Sequence, residues 1–286
     1  LGFGLSPAVC ICLVYVLDRK TALRREIRTA VRIEIGYLIF LFVTIPCGMV
    51  FSVSADNIYS RGPHFYIYVV MYFGAILYLS ASTVITAREF QNRSRLLIYP
   101  LILFVMAETI IQVALPELHV TWLCVTLLSV LYFIYCSEMW NQLDALTGLL
   151  NQNSYLKQTG GVRYKGGVLV VFDVDDFKQI NDRYGHIQGD LCLAGIAECI
   201  KKSYANFGYC YRIGGDEFCV LLKNGGNEGR CKQEFLQRLQ EKRGEIAFLP
   251  TVSYGSAPFS GEDIVKVKDR ADQDMYCLLY TSPSPR

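Results

Sequence analysis

Apolar positions are spread unevenly along the chain. Between residues 1 and 136 they form long, nearly uncharged runs, roughly Leu1–Leu17, Ile33–Val53, Phe65–Thr86, Leu96–Leu115 and Leu118–Cys136. Each is close to the ~20 residues that a helix needs to cross a bilayer. The pattern predicts a transmembrane bundle of about five helices over 1–136. A short polar stretch, 137–143, follows with few helix breakers, so the last helix is expected to continue as a stiff connector.

From Asp144 to about Leu278 the pattern becomes that of a soluble α/β domain. Gly167–Asp175 is an apolar run ending in carboxylates, which reads as a buried strand with acids at its C-terminal tip. Phe177–Arg183 and Ile187–Tyr204 read as helices, the second with Leu191, Ala194, Ile196 and Ile200 spaced to face a core. Tyr209–Ile213 and Phe218–Leu222 read as a hairpin around Gly214-Gly215-Asp216-Glu217. A helix near Gly229–Lys242, a strand near Phe248–Ser256 and a helix over Asp263–Tyr276 complete an α/β sandwich.

Composition sharpens the division. The 286 residues are 52% hydrophobic and only 19% charged, against about 25% charged in soluble domains. That excludes a wholly cytosolic protein, and a net charge of +2 gives no ground for a nucleic-acid partner. Arg19, Lys20, Arg24, Arg25, Arg28 and Arg32 follow the first run, and Arg88, Arg93 and Arg95 follow the third. The two opposite loops hold only Arg61. The positive-inside rule places the basic loops in the cytoplasm and delivers the soluble half there. The chain opens without Met inside an apolar run, so a further segment is expected upstream.

Within the membrane half, Glu34 reads as an interfacial residue near a segment start. Glu108 lies mid-segment, either as a buried hydrogen-bonded carboxyl or as part of a sensor. Pro46 and Pro100 read as tolerated kinks. Cys10, Cys12, Cys47, Cys124 and Cys136 read as small buried hydrophobes. The remaining cysteines show neither zinc spacing nor a disulfide framework, which fits a reducing compartment.

The chemistry of the soluble half concentrates in carboxylates. Asp173 at a strand tip and Asp216 with Glu217 at a turn would converge if their strands are neighbours. Oxygen ligands of this kind suit magnesium, which commonly takes one or two carboxylates plus substrate phosphates. Gly214 and Gly215 allow backbone N–H groups to approach phosphate oxygens, and Lys178 adds a positive charge. Together these suggest metal-assisted nucleotidyl transfer. A Gly-Gly-Asp-Glu hairpin by itself is usually a turn with solvated acids. The ordered series DALTGLLN, FDVDDFKQINDRYGHIQGD, RIGGDEF, TVSYGSA and RADQDMY changes that reading.

On those motifs, Asp144 to about Tyr276 resembles the GGDEF family of diguanylate cyclases. The resemblance implies a nucleotidyl cyclase or palm-like fold over 144–278 and condensation of two GTP into cyclic di-GMP with release of two pyrophosphates. It also implies Mg²⁺ or Mn²⁺ as cofactor, a homodimer that brings two GTP-loaded sites face to face, and downstream cyclic di-GMP receptors. With the membrane half, it implies a multi-pass protein of the bacterial inner membrane with this domain in the cytoplasm. Asp173, the Val174 carbonyl, Asp216 and Glu217 match metal ligands, with Asp216 also the proposed proton acceptor. Asn181 and Asp190 match the guanine-reading pair, and Lys178 a phosphate contact. His186, Phe177, Gly214, Gly215 and Arg212 fall in the segments that line the nucleotide.

Three features depart from the family pattern. Gln152 stands where Arg is usual. Ala205 and Gly208 occupy the positions of the RxxD product-inhibition motif, so feedback inhibition by that route is not expected. After Tyr276 the family's Lys and Gly-Arg-Asn turn are replaced by an apolar, then Ser/Pro-rich tail, with 279–286 read as non-native and this chain expected to be weakly active. The alternative reading is a GTP-binding receptor module without turnover, and a third is a transporter or channel with an appended regulator.

Overall fold

The structure, a computed structural model, describes residues 2–17, 24–54, 59–90, 98–115, 121–160 and 166–281. The chain divides into two compact units, Leu1–Trp140 and Asn141–Arg286.

The N-terminal unit contains α1 (Gly2–Leu17), α2 (Arg24–Thr44), a two-stranded hairpin of β1 (Phe51–Val53) and β2 (Tyr59–Arg61), α3 (Tyr66–Glu89), α4 (Ile98–Ala114) and α5 (Thr121–Asn141). Cys10, Val14, Tyr37, Tyr72, Ile76, Leu128 and Tyr132 belong to one buried cluster. Thr83 Oγ1 and Tyr132 Oη share a 2.9 Å hydrogen bond inside it. Three stretches, Glu26–Cys47, Tyr66–Arg88 and Trp122–Asn141, are long and apolar enough to cross a membrane. The apolar stretches of α1 and α4 are shorter.

Several boundaries differ from the sequence reading. The second helix starts at Arg24 rather than Ile33 and ends at Thr44 rather than Val53. Pro46 is the reason for its end: without an N–H it cannot continue the ladder. A 3-10 turn, Ile45–Cys47, closes there on Gly48 in the left-handed region. The earlier start places Glu34 in the middle of α2 rather than near a segment start, and its side chain is buried. Pro100 falls in the first turn of α4, where proline is tolerated. Glu108 is buried and accepts a long 3.5 Å bond from Thr109 Oγ1. Cys12 and Cys47 are exposed rather than buried. The basic residues 19–20, 93 and 95 lie outside the described residues.

The C-terminal unit is a sandwich around a four-stranded antiparallel sheet. Its elements are α6 (Gln152–Thr159), β3 (Gly167–Val174), α7 (Phe177–Tyr184), α8 (His186–Tyr204), β4 (Gly208–Arg212), β5 (Glu217–Leu222), α9 (Glu228–Glu245), β6 (Val252–Phe259) and α10 (Ile264–Thr281). The strand order is β4-β5-β3-β6. Alternation along β3 builds both faces. Val168, Val170, Phe172 and Val174 join residues of α8 and α9 in one core. Leu169 and Val171 join Tyr155 of α6 and Ile264, Val267 and Ala271 of α10 in the other. Phe172 is fully buried, with its ring 5.1 Å from Phe235 and 5.7 Å from Tyr204. On α8 the core side is Cys192, Leu193, Ile196, Ala197 and Ile200, whereas Leu191, expected inside, is 48% exposed and Ala194 only half-buried. Ile196 and Ile200 face the core as their spacing predicts, but the stripe is centred one position away from Leu191. The side chains of 276–281 and all of 282–286, where the tail departs, lie outside the described residues.

Candidate active site

β3 lies between β5 and β6, and its register decides the site. Asp173 is paired directly across from Glu217 on one side and Ser253 on the other. Opposed residues in an antiparallel pair hold their Cβ atoms about 4.5–5.5 Å apart on the same face. Asp216 immediately precedes β5, so the acids of strand tip and hairpin turn meet. Burial first, then the charges of Asp216, Glu217 and Asp175, push the Asp173 carboxyl above its ordinary value, opposed by a bond from the Val174 amide. Such crowding of like charges is the state that a bound cation relieves.

The donor set fits a hard divalent ion, with carboxylate oxygens from two adjacent strands and no sulfur. Among the described residues, no three His, Cys, Asp or Glu groups close around a cation by themselves. Asp173, Asp216 and Glu217 are thus neighbours without forming a closed three-carboxylate cage. Lys268 of α10 stands 4.0 Å from Glu217 and 3.0 Å from Asp272. It is a cation at the rim that the spacing of motifs did not single out.

The turn itself is held by a clamp. Arg212 donates from Nη2 and Nε to the Gly215 carbonyl, at 2.7 and 3.2 Å, and from Nη1 to Asp144 at 3.1 Å. Asp144 also accepts from the Thr147 amide at 2.8 Å and its hydroxyl at 2.6 Å. Burial alone would raise the Asp144 carboxyl, but the Thr147 and Arg212 bonds outweigh it and hold it below its usual range. Arg212, expected to line the nucleotide, thus has its guanidinium engaged by the DALTG segment and the hairpin. The motif pattern alone does not single out Asp144 as a site residue. Its signal is a capping pattern, Asp followed three residues later by Thr. Neither glycine of the turn has a positive φ, and a Cβ on Gly215 would meet nothing within 4 Å. The protein's own packing therefore does not require glycine at 215.

The remaining expected residues gather around α7 and α8. Asp176 takes a left-handed conformation (φ 53°) at the start of α7, which aspartate tolerates better than most residues. Asp175 accepts a 2.6 Å bond from Ser253 Oγ. A Cβ at Gly189 would overlap the Asn181 carboxamide oxygen and crowd Phe177. The absent side chain at 189 therefore lets α7 seat Asn181 against α8 next to Asp190. Phe177 is half-buried against the core, and the Val174 side chain is buried. Lys178, His186 and Asp190 are exposed.

Residues 141–281 match the family model described as diguanylate cyclase, GGDEF domain. The chain is 40% identical over 96 residues to the probable diguanylate cyclase DgcI of Escherichia coli, covering 33% of this chain and 21% of that one. It is 36% identical over 150 residues to the diguanylate cyclase DgcP of Pseudomonas aeruginosa, covering 46% and 22%. A solved structure of a microbial GGDEF domain with cyclic di-GMP is 30% identical, covering 49% of this chain and 94% of that one, with a TM-score of 0.40. The chain thus spans about a fifth of these two curated relatives. With the GGDEF turn, its paired acids and the family match falling on the same residues, the C-terminal half of this chain belongs to the GGDEF domain family.

Proposed function

We propose that the protein is a membrane-anchored diguanylate cyclase, joining two GTP into cyclic di-GMP and releasing two pyrophosphates. The observation that carries this is the placement of Asp173 across from Glu217, with Asp216 beside them at the turn. Asp173, the Val174 carbonyl, Asp216 and Glu217 would hold Mg²⁺ or Mn²⁺, which when bound supplies positive charge to the triphosphate and the departing pyrophosphate. Asp216 takes the proton from the 3′-hydroxyl that attacks the α-phosphorus of the opposite GTP. Gly214 and Gly215 leave room for phosphate oxygens to approach the backbone, and Lys178 faces the same charge. Asn181 and Asp190 read guanine, Asp190 accepting from N1–H and the exocyclic amine, while Phe177 and His186 line the nucleotide. Arg212 acts as a positioning residue that fixes the turn.

Because each domain holds one GTP, turnover requires a homodimer, and the product acts on cyclic di-GMP receptors elsewhere in the cell. The membrane reading is supported by the three long apolar helices and by outward-facing Phe42, Leu103 and Leu123, each at least 69% exposed. Water is a poor solvent for such a surface. The excess of basic residues in the loops after the first and third runs orients the GGDEF domain to the cytoplasm of a bacterial inner membrane.

The test is incubation of the purified full chain in lipid nanodiscs with GTP and Mg²⁺, with products identified by mass spectrometry. Cyclic di-GMP is expected from the wild type and none from Asp216→Ala. GTP binding without product would replace the enzyme with the receptor reading.

A further inference from the structure

The N-terminal unit holds a cavity of about 760 Å³ between α1, α2 and α3. That lies within the roughly 300–1,000 Å³ typical of small-molecule sites. On α2, Glu26, Ala30, Ile33 and Glu34 reach it from one face, and on α3 Gly74 and Tyr78 lie one turn apart along its wall.

Three observations set the chemistry of an occupant. Glu34 is only 5% exposed, lines the cavity, and both its carboxylate oxygens are buried without a hydrogen-bond partner. It sits about 12 Å along α2 from Glu26, at 1.5 Å per residue. A carboxylate held from water without a donor is costly, and a bound cation is one way to relieve it. Charge points the same way, since Glu26 and Glu34 line the cavity and no Lys, Arg or His among the described residues does. Finally, a Cβ at Gly74 would meet nothing within 4 Å. Glycine is unfavourable within a helix, and no close neighbour demands it here; what it leaves is space.

We propose that this cavity binds an apolar small molecule bearing a protonated amine. The ammonium sits on the Glu34 carboxylate, and the hydrocarbon body lies along Ile33, Met71 and the gap left by Gly74. This gives the unit a ligand site whose occupancy is independent of nucleotide turnover.

The test uses the full chain in phospholipid nanodiscs and a dodecylamine derivative carrying a diazirine in its chain. Light-induced labelling, mapped by mass spectrometry, is expected to saturate on α2 and α3. Dodecylamine should compete, and dodecanol at the same concentration should not. Glu34→Gln, which keeps the shape, should weaken labelling about tenfold or more, the loss of one charge-assisted contact. Gly74→Leu, which leaves the carboxylate in place but fills the space, should weaken it as well. Each variant is checked for wild-type helicity and monodispersity, and either suffices if the other misfolds. Equal labelling of wild type and a folded variant, competition by dodecanol as strong as by dodecylamine, or labelling spread over all the helices would overturn the proposal.

Discussion

Arg212 Nη1 stands 3.1 Å from Asp144 Oδ1, joining positions 68 residues apart in sequence. The same guanidinium holds the Gly215 carbonyl. A planar fork is needed to serve both, and lysine offers only one point charge. Arg212→Lys is therefore expected to lower kcat about 10- to 100-fold, the equivalent of roughly 1.5–3 kcal/mol for charge-assisted bonds. Because the clamp acts through the turn, KM for GTP should change much less. Steady-state kinetics of Arg212→Lys, Asp144→Asn and the double variant check this. Fully additive losses would mean that the two residues do not act as a pair.

Asp173 gives a pH prediction. Its carboxyl is raised in the folded protein, so the folded state holds that proton more tightly than the unfolded chain does. The resulting stability is full below the unfolded value and lost as pH rises through the folded one. At neutral pH without metal, Asp173 therefore destabilises the domain, and Asp173→Asn should melt higher than wild type. The gap should shrink as pH falls into the acid range, and also when Mg²⁺ is added to the wild type. Thermal melts across pH in the presence of a chelator measure it. A gap independent of pH would place the effect outside this titration.

Asp190 bears on base choice. If Asp190 reads guanine as proposed, Asp190→Ser removes the acceptor for N1–H and the exocyclic amine, and GTP should lose affinity by about two or more orders of magnitude, on the order expected for unpaired polar groups. ATP should change little. Equilibrium binding of both nucleotides decides, and equal losses would make Asp190 a structural residue.

Phe172 anchors the strand that carries Asp173. Its ring is fully buried among Phe235, Tyr204 and Tyr254. Phe172→Ala should cost about 3–5 kcal/mol, read from the midpoint of denaturant unfolding. A cost below 1.5 kcal/mol, the scale of a tolerated core swap, would show that the core collapses around the gap.

Much of the soluble half was legible because its signals are local. The Gly167–Asp175 run, the hairpin around Gly214–Glu217 and the length of α8 follow from short-range pattern. What was not legible depends on distant partners. Arg212 reads as a ligand contact until Asp144 is seen to occupy it, and Lys268 belongs to no motif, so only α10 brings it beside Glu217. The core face of α8 runs through Cys192 and Cys199, which a count of strongly apolar positions passes over, and so Leu191 falls outside it. In the N-terminal half, hydropathy locates the runs but not their ends. The basic residues before Ile33 are compatible with a helix, and so α2 begins a full two turns early and carries Glu34 inward.

The position of Asp173 has a consequence for how the chain reaches its fold. Strand faces alternate, so a slip of β3 by one residue against β5 would exchange its two faces. Asp173 would then be driven into the layer of Phe172, Phe235 and Tyr204, and an unpaired charge there is heavily penalised. The misaligned sheet is disfavoured by the same side chain that the aligned sheet sets across from Glu217. An acid at this strand end proofreads its own placement, and replacing it with an apolar residue would remove that check even where the finished domain looked unchanged.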